Sequence, residues 1–475
     1  MPGSQDLVAP EEGFMTAVIN PTIFRAYDVR GIVGVDLSEA VYRTLGRAAG
    51  TYFRRRGGRR IVVARDARPT SPGYAAALID GLRRSGCDVL DIGMAPTPVM
   101  YFALAYLQAD GGAVVSASHN PPEFNGLKLR QADPRYGGEP LSSAQIQEVA
   151  RLANAGDFAD GSGGYEHMDI SATYVEDVAR RLKLERRVKI VLDAGNGAAG
   201  PIALRTFEAI GCEVVPLFIE PDGTFPNHHP DPLKAANLHD LMRTVRSHGA
   251  MLGIGLDGDG DRLGVVDGRG TVVFADRAMI VLARYVLARG PAPIVFDVKC
   301  SSLLPEAIRS FGGTPVMWKT GYTNQSAKMR EVGAPLAGEL SGHIFSDMQY
   351  HVYDDGTFAG CYLLYALEQF GQTLEEALEP YPPLPAAPEE RLPCDEAIKF
   401  QVIAYLRDQF AGAYPVIDVD GVRVEFGDGW GLVRASNTEP AITTRFEART
   451  YERVAEIRKL MLSKVDEFIR LCRHT

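Results

Sequence analysis

The chain has 475 residues, 46% hydrophobic and 23% charged, with a formal net charge of −10. At about 100–150 residues per domain this is three or four domains of ordinary soluble composition. The acidic balance argues against nucleic acid or an anionic membrane as partner, because both are bound by excess positive charge.

Met1 to Asn20 is acidic and lacks a basic, then apolar, then small-residue leader pattern. Residues 1–20 are expected to be a flexible tail, with Met15 a second candidate start. The longest apolar stretches, such as Met279 to Ala288, are interrupted by charges like Arg284 and are too short to span a bilayer. The cysteines (87, 212, 300, 361, 394 and 472) form no CxxC pair and no metal spacing. Reduced thiols and a cytoplasmic location are expected.

Three stretches share one plan. Ile61–Asp66 leads through a helical pattern to Gly86-Cys87, Ile190–Asp193 to Gly211-Cys212, and Ile294–Asp297 to Gly312-Gly313. Strand, helix, glycine stop and strand make a parallel βαβ unit. A third strand is expected from Gly112-Ala113, Gly249-Ala250 and Gly333-Ala334. Gly156–Gly164, the Asp267-Gly268 turn and the proline-rich Tyr381–Pro388 mark boundaries. They divide the chain into 21–160, 161–268, 269–384 and 385–475. The last region breaks the plan, with a helix near Asp395–Phe410, a hairpin at Asp420-Gly421, two more strands and a long terminal helix. The fold class is α/β: three similar mixed α/β domains with βαβ units plus a C-terminal α+β domain, around a central cleft.

The three third strands run into three different loops. The first loop is Ser116-Ala117-Ser118-His119-Asn120-Pro121-Pro122, where two prolines forbid simple continuation as a helix. Ser118 therefore sits on a loop at a strand end, the usual place for chemistry in α/β enzymes, although a plain polar turn has the same composition. The second loop is Asp257-Gly258-Asp259-Gly260-Asp261-Arg262. Gathering carboxylates costs about 4 kcal/mol per pair at 4 Å and an effective dielectric near 20 unless a cation compensates. Hard oxygen ligands suit magnesium. A calcium loop of the EF-hand type fails twice, with Arg262 at its turn glycine and Gly268 at its bidentate glutamate. The third loop is Gly338-Glu339-Leu340-Ser341-Gly342-His343.

Gly195-Asn196-Gly197-Ala198-Ala199-Gly200 satisfies the dinucleotide-binding spacing, and Glu220 lies twenty residues beyond Gly200. Asp193-Ala194 separates these glycines from their strand, and the other repeats lack the pattern. A tight helix-entry turn is the simpler reading, and a dehydrogenase the minor one.

Taken with Phe24–Gly31 and Arg434-Ala435-Ser436-Asn437-Thr438-Glu439-Pro440, these loops resemble the α-D-phosphohexomutases, in particular the bacterial phosphomannomutase/phosphoglucomutase branch. Five motifs match in order from residue 21 to the C-terminus. The resemblance implies that Ser118 is the phosphorylated serine and that Asp257, Asp259 and Asp261 share Mg2+ with it. Lys128 and Arg262 would stand beside the transferred group, with His119 orienting the serine loop or, as the preferred reading, packing beside it. Tyr27, Arg30, Lys299 and Tyr322 would line the cleft. Glu339, Ser341 and His343 would contact sugar hydroxyls, and Arg434, Ser436, Asn437 and Thr438 would hold the phosphate that is not reacting.

Two positions depart from the family pattern. Leu340 replaces a methionine of similar volume. Tyr322 replaces a histidine, and with a pKa of about 10 it is a poor proton carrier near neutrality. The implied activity is reversible interconversion of hexose 1-phosphate and hexose 6-phosphate (mannose and/or glucose) through a phosphoserine and a 1,6-bisphosphate. Glucose or mannose 1,6-bisphosphate is the expected activator. The substrate partner is a small sugar phosphate and the protein is expected to be a monomer. An amino-sugar phosphomutase and a metal-dependent sugar phosphatase are the alternatives; a non-catalytic metal module leaves the five motifs unexplained.

Overall fold

The computed structural model describes residues 19–133, 137–346, 352–436 and 440–473, which form four successive sheets. The first contains β1 (Val29–Ile32), β2 (Arg60–Arg65), β3 (Asp88–Met94), β4 (Gly111–Val115), β5 (Phe124–Gln131), β6 (Glu139–Pro140) and β7 (Tyr165–His167). Their order is β1-β5-β4-β2-β3-β7, with β6 on β5. The second contains β8 (Val188–Asp193), β9 (Cys212–Leu217), β10 (Leu252–Leu256), β11 (Leu263–Asp267) and β12 (Val272–Val273), in the order β12-β11-β10-β8-β9. The third contains β13 (Pro293–Asp297), β14 (Thr314–Trp318), β15 (Leu336–Gly338) and β16 (Ile344–Ser346), in the order β14-β13-β15-β16.

One kernel recurs in all three. A central strand (β2, β8 or β13) has the next strand parallel on one flank and the third parallel on the other. Ile61, Ile190 and Ile294 stand opposite Gly111, Leu252 and Leu336 in these registers. Each third strand then returns through an antiparallel neighbour: β5, β11 or β16. β4 and β10 are buried along their whole length, as parallel strands covered on both faces must be.

The glycines expected to open the third strands behave differently from one another. Gly111 and Gly112 lie in β4. Gly249 and Gly333 instead end the preceding helices His239–His248 and Tyr322–Val332 with φ of 57° and 66°. A helix is commonly closed by a left-handed residue, which only glycine adopts without steric cost. Both strands therefore begin three residues later, at Leu252 and Leu336.

The dinucleotide-like glycines are consumed by packing. A Cβ at Gly200 would stand 1.9 Å from the Ile219 carbonyl oxygen, and one at Gly197 2.7 Å from that of Gly258. Backbone fills the space above that turn, which disposes of a dinucleotide there.

The fourth sheet is wholly antiparallel: β17 (Glu390–Pro393), β18 (Val416–Ile417), β19 (Val422–Glu425), β20 (Gly429–Ala435) and β21 (Ala441–Ala448), ordered β17-β21-β20-β19-β18. The expected hairpin turns at Gly421, whose φ is 88°. β17 carries no alternating pattern and adds a strand to those expected. The helices Lys399–Phe410 and Tyr451–Arg473 bury Val402, Leu406, Val454, Ile457, Met461 and Val465 against this sheet. The connector is partly pinned, since Ala387 donates to Phe446 and Ala448 to Pro385.

Apolar side chains from Val62 to Leu378 form one continuous cluster, so the first three units share a core. The fourth keeps its own, joined to the third through Val298, Trp430 and Leu432. Among the described residues no helix is long and apolar enough to cross a membrane.

Beside β8, His228 Nε2 lies 3.1 Å from both carboxylate oxygens of buried Asp193. Burial alone would depress this imidazole, but Asp193 outweighs it and raises the pKa. The pair's stabilisation is complete below about pH 6.5, the ordinary histidine value, and is lost as pH rises through the elevated one. A hydrogen bond to a charged group contributes about 1.5–3 kcal/mol. Unfolding of His228→Asn against the parent chain should therefore show a stability gap at pH 6 that narrows by pH 9. A gap independent of pH would contradict the charged pairing.

Candidate active site

The three chemistry-bearing loops, residues 116–123, 257–262 and 339–343, all come after the third parallel strand of their sheets. They therefore lie at carboxyl ends of strands, where open α/β sheets place ligands. Ser118 is 3% exposed and its Oγ is 2.8 Å from Asp257 Oδ2. The loop is fixed by short turns, Asn120 N to Ala117 O and Phe124 N to Pro121 O. Ser118 itself has a φ of 51°, a left-handed conformation costing about 1–2 kcal/mol for a residue with a Cβ. His119 Nδ1 stands 3.1 Å from Ser118 Oγ, so this ring touches the serine and does more than pack. Burial, then the charges of Arg262 and Arg30, hold the His119 pKa well below its ordinary value.

Asp257, Asp259 and Asp261 are all buried, with one oxygen of each within 4.8 Å of the others. Lys128, carried in by β5, donates at 2.6 Å to both Asp259 Oδ2 and Asp261 Oδ2. Thr97 Oγ1 donates to Asp259 Oδ2 at 2.5 Å. The Arg262 backbone N–H bonds Asp257 Oδ1. Burial, then Asp261 and Asp259, push the Asp257 carboxyl well above the usual range. Burial would also lift Asp261, but Lys128, His343 and Arg262 overrule it and hold this carboxyl low.

The residues present fit a hard divalent cation. Asp259 Oδ1 and Asp261 Oδ1 are buried with no hydrogen-bond partner, a state that costs free energy unless a cation satisfies them. All the donors are carboxylate oxygens, the set magnesium takes.

Arg262 reaches across to the third unit, its Nε 3.1 Å from His343 Nε2, and His343 Nδ1 is 2.6 Å from Asp354 Oδ2. Burial would depress His343; Asp261 and Asp354 instead push it up to about 9. Glu339 accepts from Ser341 Oγ at 2.7 Å and from Gly321 N at 2.5 Å. Its pKa is raised by burial. Tyr322, next in chain after Gly321, directs its hydroxyl to the Tyr27 carbonyl at 3.4 Å. Lys128 Nζ lies 5.9 Å from the centre of its ring. Burial raises the Tyr322 pKa well above its ordinary value, so the hydroxyl keeps its proton. Tyr27 Oη accepts from Asn324 Nδ2 at 3.0 Å.

Arg30 pairs with Asp28 at 2.9 Å and touches Asn120 Oδ1 at 3.4 Å, which brings it to the serine loop. Lys299 Nζ lies 3.3 Å from Glu389. Arg434 Nη2 is 3.1 Å from Asp420, whose other bond runs to Thr320 N in the third unit. Ser436 is buried, and its carbonyl accepts from Lys399 Nζ at 2.6 Å. Asn437 and Thr438 lie outside the described residues.

Contacts thus join the serine loop, the acid loop and the Glu339–His343 loop, and Asp420 joins Arg434 to the turn that holds Glu339. Sequence reasoning does not reach Thr97, Asp354 and Asn324, and it gives Asp420 only as a hairpin-turn residue. The first three carry no pattern that it could use, and Thr97 meets its partner across 162 residues.

The chain matches models of phosphoglucomutase/phosphomannomutase alpha/beta/alpha domains I, II and III over residues 21–160, 172–270 and 274–384, and of the C-terminal domain over 389–464. It is 43% identical to a phosphomannomutase/phosphoglucomutase of Pseudomonas aeruginosa over 94% of this chain and 95% of that one. A phosphoglucomutase of Neisseria gonorrhoeae is 40% identical over 93% of this chain and 96% of its own. A solved phosphoglucomutase/phosphomannomutase family protein from Burkholderia thailandensis superposes with a TM-score of 0.87 at 42% identity, covering 94% of this chain and 98% of that one. With all four domains matched in order and the relatives covered nearly end to end, the chain belongs to the phosphoglucomutase/phosphomannomutase family.

Proposed function

We propose that this enzyme is a phosphohexomutase that interconverts hexose 1-phosphates and 6-phosphates, of glucose, mannose or both, with Ser118 as phosphoryl carrier. The observation that carries this is Ser118 Oγ 2.8 Å from Asp257 beside buried carboxylate oxygens that lack hydrogen-bond partners. Asp257, Asp259, Asp261 and the seryl phosphate would hold Mg2+, which when bound neutralises the phosphoryl oxygens.

The second half-reaction runs in reverse at the other end of the sugar; in the first, the Ser118 Oγ–phosphorus bond breaks and a bond forms from phosphorus to a sugar hydroxyl oxygen. The hydroxyl proton ends on Ser118 Oγ, with His119 Nδ1 in reach to hold it on the way. Lys128 and Arg262 stabilise developing negative charge, since such transfers depend mostly on positioning and electrostatics. Glu339, Ser341 and His343 orient the ring. The 1,6-bisphosphate then turns end for end and returns its other phosphoryl group to Ser118. Escape of that intermediate leaves an unphosphorylated serine, so added glucose or mannose 1,6-bisphosphate should act as activator. The separate core of the fourth unit suits it to swing with the phosphate it holds. Cysteines that are all free, five of them buried, favour the cytoplasm.

Arg434→Ala should weaken binding of 1- and 6-phosphates alike by ~10–100-fold, the worth of a charge-assisted hydrogen bond. Undiminished affinity for both, measured by calorimetry, would remove Arg434 from the phosphate site. The whole reading is tested by phosphorus NMR with magnesium, a trace of hexose 1,6-bisphosphate, and glucose 1-phosphate or mannose 1-phosphate. Conversion to the 6-phosphate is expected, and the relative rates rank the sugars. Accumulating inorganic phosphate would make the enzyme a phosphatase, and inertness towards both sugars would redirect the search to amino-sugar phosphates.

A further inference from the structure

We propose that Arg68 is a positioning residue for phosphoryl transfer, holding the Ser118 loop in its left-handed conformation; this rests on Ser118 being the phosphoryl carrier. A guanidinium has five N–H donors in a planar fork, and Arg68 spends all of them beneath this loop. Nη2 donates to the carbonyls of Ser118 at 3.0 Å and Asn120 at 2.6 Å. Nη1 donates to those of Pro121 at 2.7 Å and Phe124 at 3.1 Å. Nε bonds Asp66 Oδ2 at 3.1 Å.

Two short turns and the Ser118 N–H to Ser116 Oγ bond order the loop locally. Its prolines keep it out of a helix and it runs beyond the ladder of β4, so Arg68 is the side chain that ties its carbonyls together. The Ser118 carbonyl is gripped from two sides. Arg68 lies on one, and on the other Gly258 of the acid loop approaches so closely that a Cβ there would stand 2.5 Å from the oxygen. The second unit seals the arginine as well. A Cβ at Gly223 would stand 2.3 Å from Arg68 Cα, and the Phe225 ring centre is 5.3 Å from the guanidinium carbon. With its side chain 0% exposed, Arg68 touches neither solvent nor the reacting groups. It acts through the backbone that aims Ser118 Oγ at Asp257.

Arg68→Lys keeps the charge but offers three donors without the fork, so at least two of the five acceptors, a carbonyl among them, lose their partner. The serine should drift, and a displacement of about 1 Å at reacting atoms costs on the order of 10²-fold in rate. The expected result is a kcat per folded molecule, with the folded fraction fixed by circular dichroism, lowered ~100-fold while KM for the sugar phosphate changes less than about threefold. Amide exchange should accelerate in residues 117–124 and stay unchanged in β2 and β8. Full kcat in a folded Arg68→Lys, or a loss confined to KM, would overturn the proposal. If the lysine variant does not fold, Asp66→Asn replaces the anion that anchors Nε by a neutral isostere. A kcat-selective loss is expected there too, and unchanged kcat would be decisive against the role. Failure of the parent enzyme to convert hexose phosphates would instead strike the underlying reading, so the two failures are distinguishable.

Discussion

Ser118→Ala is expected to lose mutase turnover by ~10⁴-fold or more, about 5.4 kcal/mol of transition-state stabilisation, because no other group can take its place as covalent carrier. Phosphorus NMR of the purified variant should show no phosphoserine signal. The fold should survive, since the change removes one hydroxyl from a loop whose carbonyls stay bonded. Ser118→Gly separates chemistry from backbone strain. It should be equally inactive, yet more stable than the alanine variant by about 1 kcal/mol, because glycine adopts a φ of 51° without steric cost. Turnover by either variant within tenfold of the parent would place the phosphoryl group on another residue.

Lys128→Met should be the most damaging single change to the acid loop. The ammonium is the bonded countercharge of both Asp259 and Asp261 at 2.6 Å, with all three side chains at most 4% exposed. Removing one member of a buried ion pair costs about 3–5 kcal/mol, because the remaining charge is stranded. Turnover should fall by ~10²–10³-fold with the lost electrostatic stabilisation. Burial would depress Lys128, but the two aspartates raise it well above its ordinary value, while Asp261 is held low. The Lys128 contribution is complete below its unfolded pKa of about 10.4 and is lost as pH rises through the higher folded value. The Asp261 contribution is complete above about 3.9 and is lost as pH falls through the lower folded one. Denaturant unfolding of the variant with chelator and with magnesium checks the attribution. The stability loss should be larger without the metal, since a divalent cation can replace the missing charge. A loss indifferent to magnesium would mean that the carboxylates do not form one cation site.

Much of this site was legible because its chemistry lies in short, local patterns. Three alternating aspartates, a serine before a double proline, and apolar runs closed by glycine each announce themselves within ten residues. The three parallel kernels arise from such runs, and Gly86, Gly211 and Gly312 all take the positive φ expected of chain-reversing stops. Gly249 and Gly333 were misplaced for an equally local reason: a glycine beside an apolar run reads alike as a strand start or a helix end. β7 and β17, short edge strands without alternation, are set by the neighbour they pair with.

Arg68, Thr97, Asp354 and Asn324 were invisible for a different cause. A single polar residue carries no periodicity, and its meaning lies in the partner it meets. Arg68 finds its carbonyls 50 to 56 residues away, and Thr97 finds Asp259 in another unit. His119 illustrates the middle case. Its place beside Ser118 was plain, but whether the ring packs or bonds depended on a loop torsion.

The sequence by itself determined most of the elements, the repeated kernel, the family, and which three loops carry the hydroxyl, the acids and the Glu-Ser-His polar groups, because hydrophobic period, turn chemistry and motif spacing act over a few residues. The tertiary structure alone decided that Asp257 is the carboxylate against Ser118, that Lys128 pairs with the other two, and that Arg262 meets His343. Those distances depend on how the units of a shared core dock, and docking is a balance of burial and charge across 81 to 139 residues that no local spacing encodes.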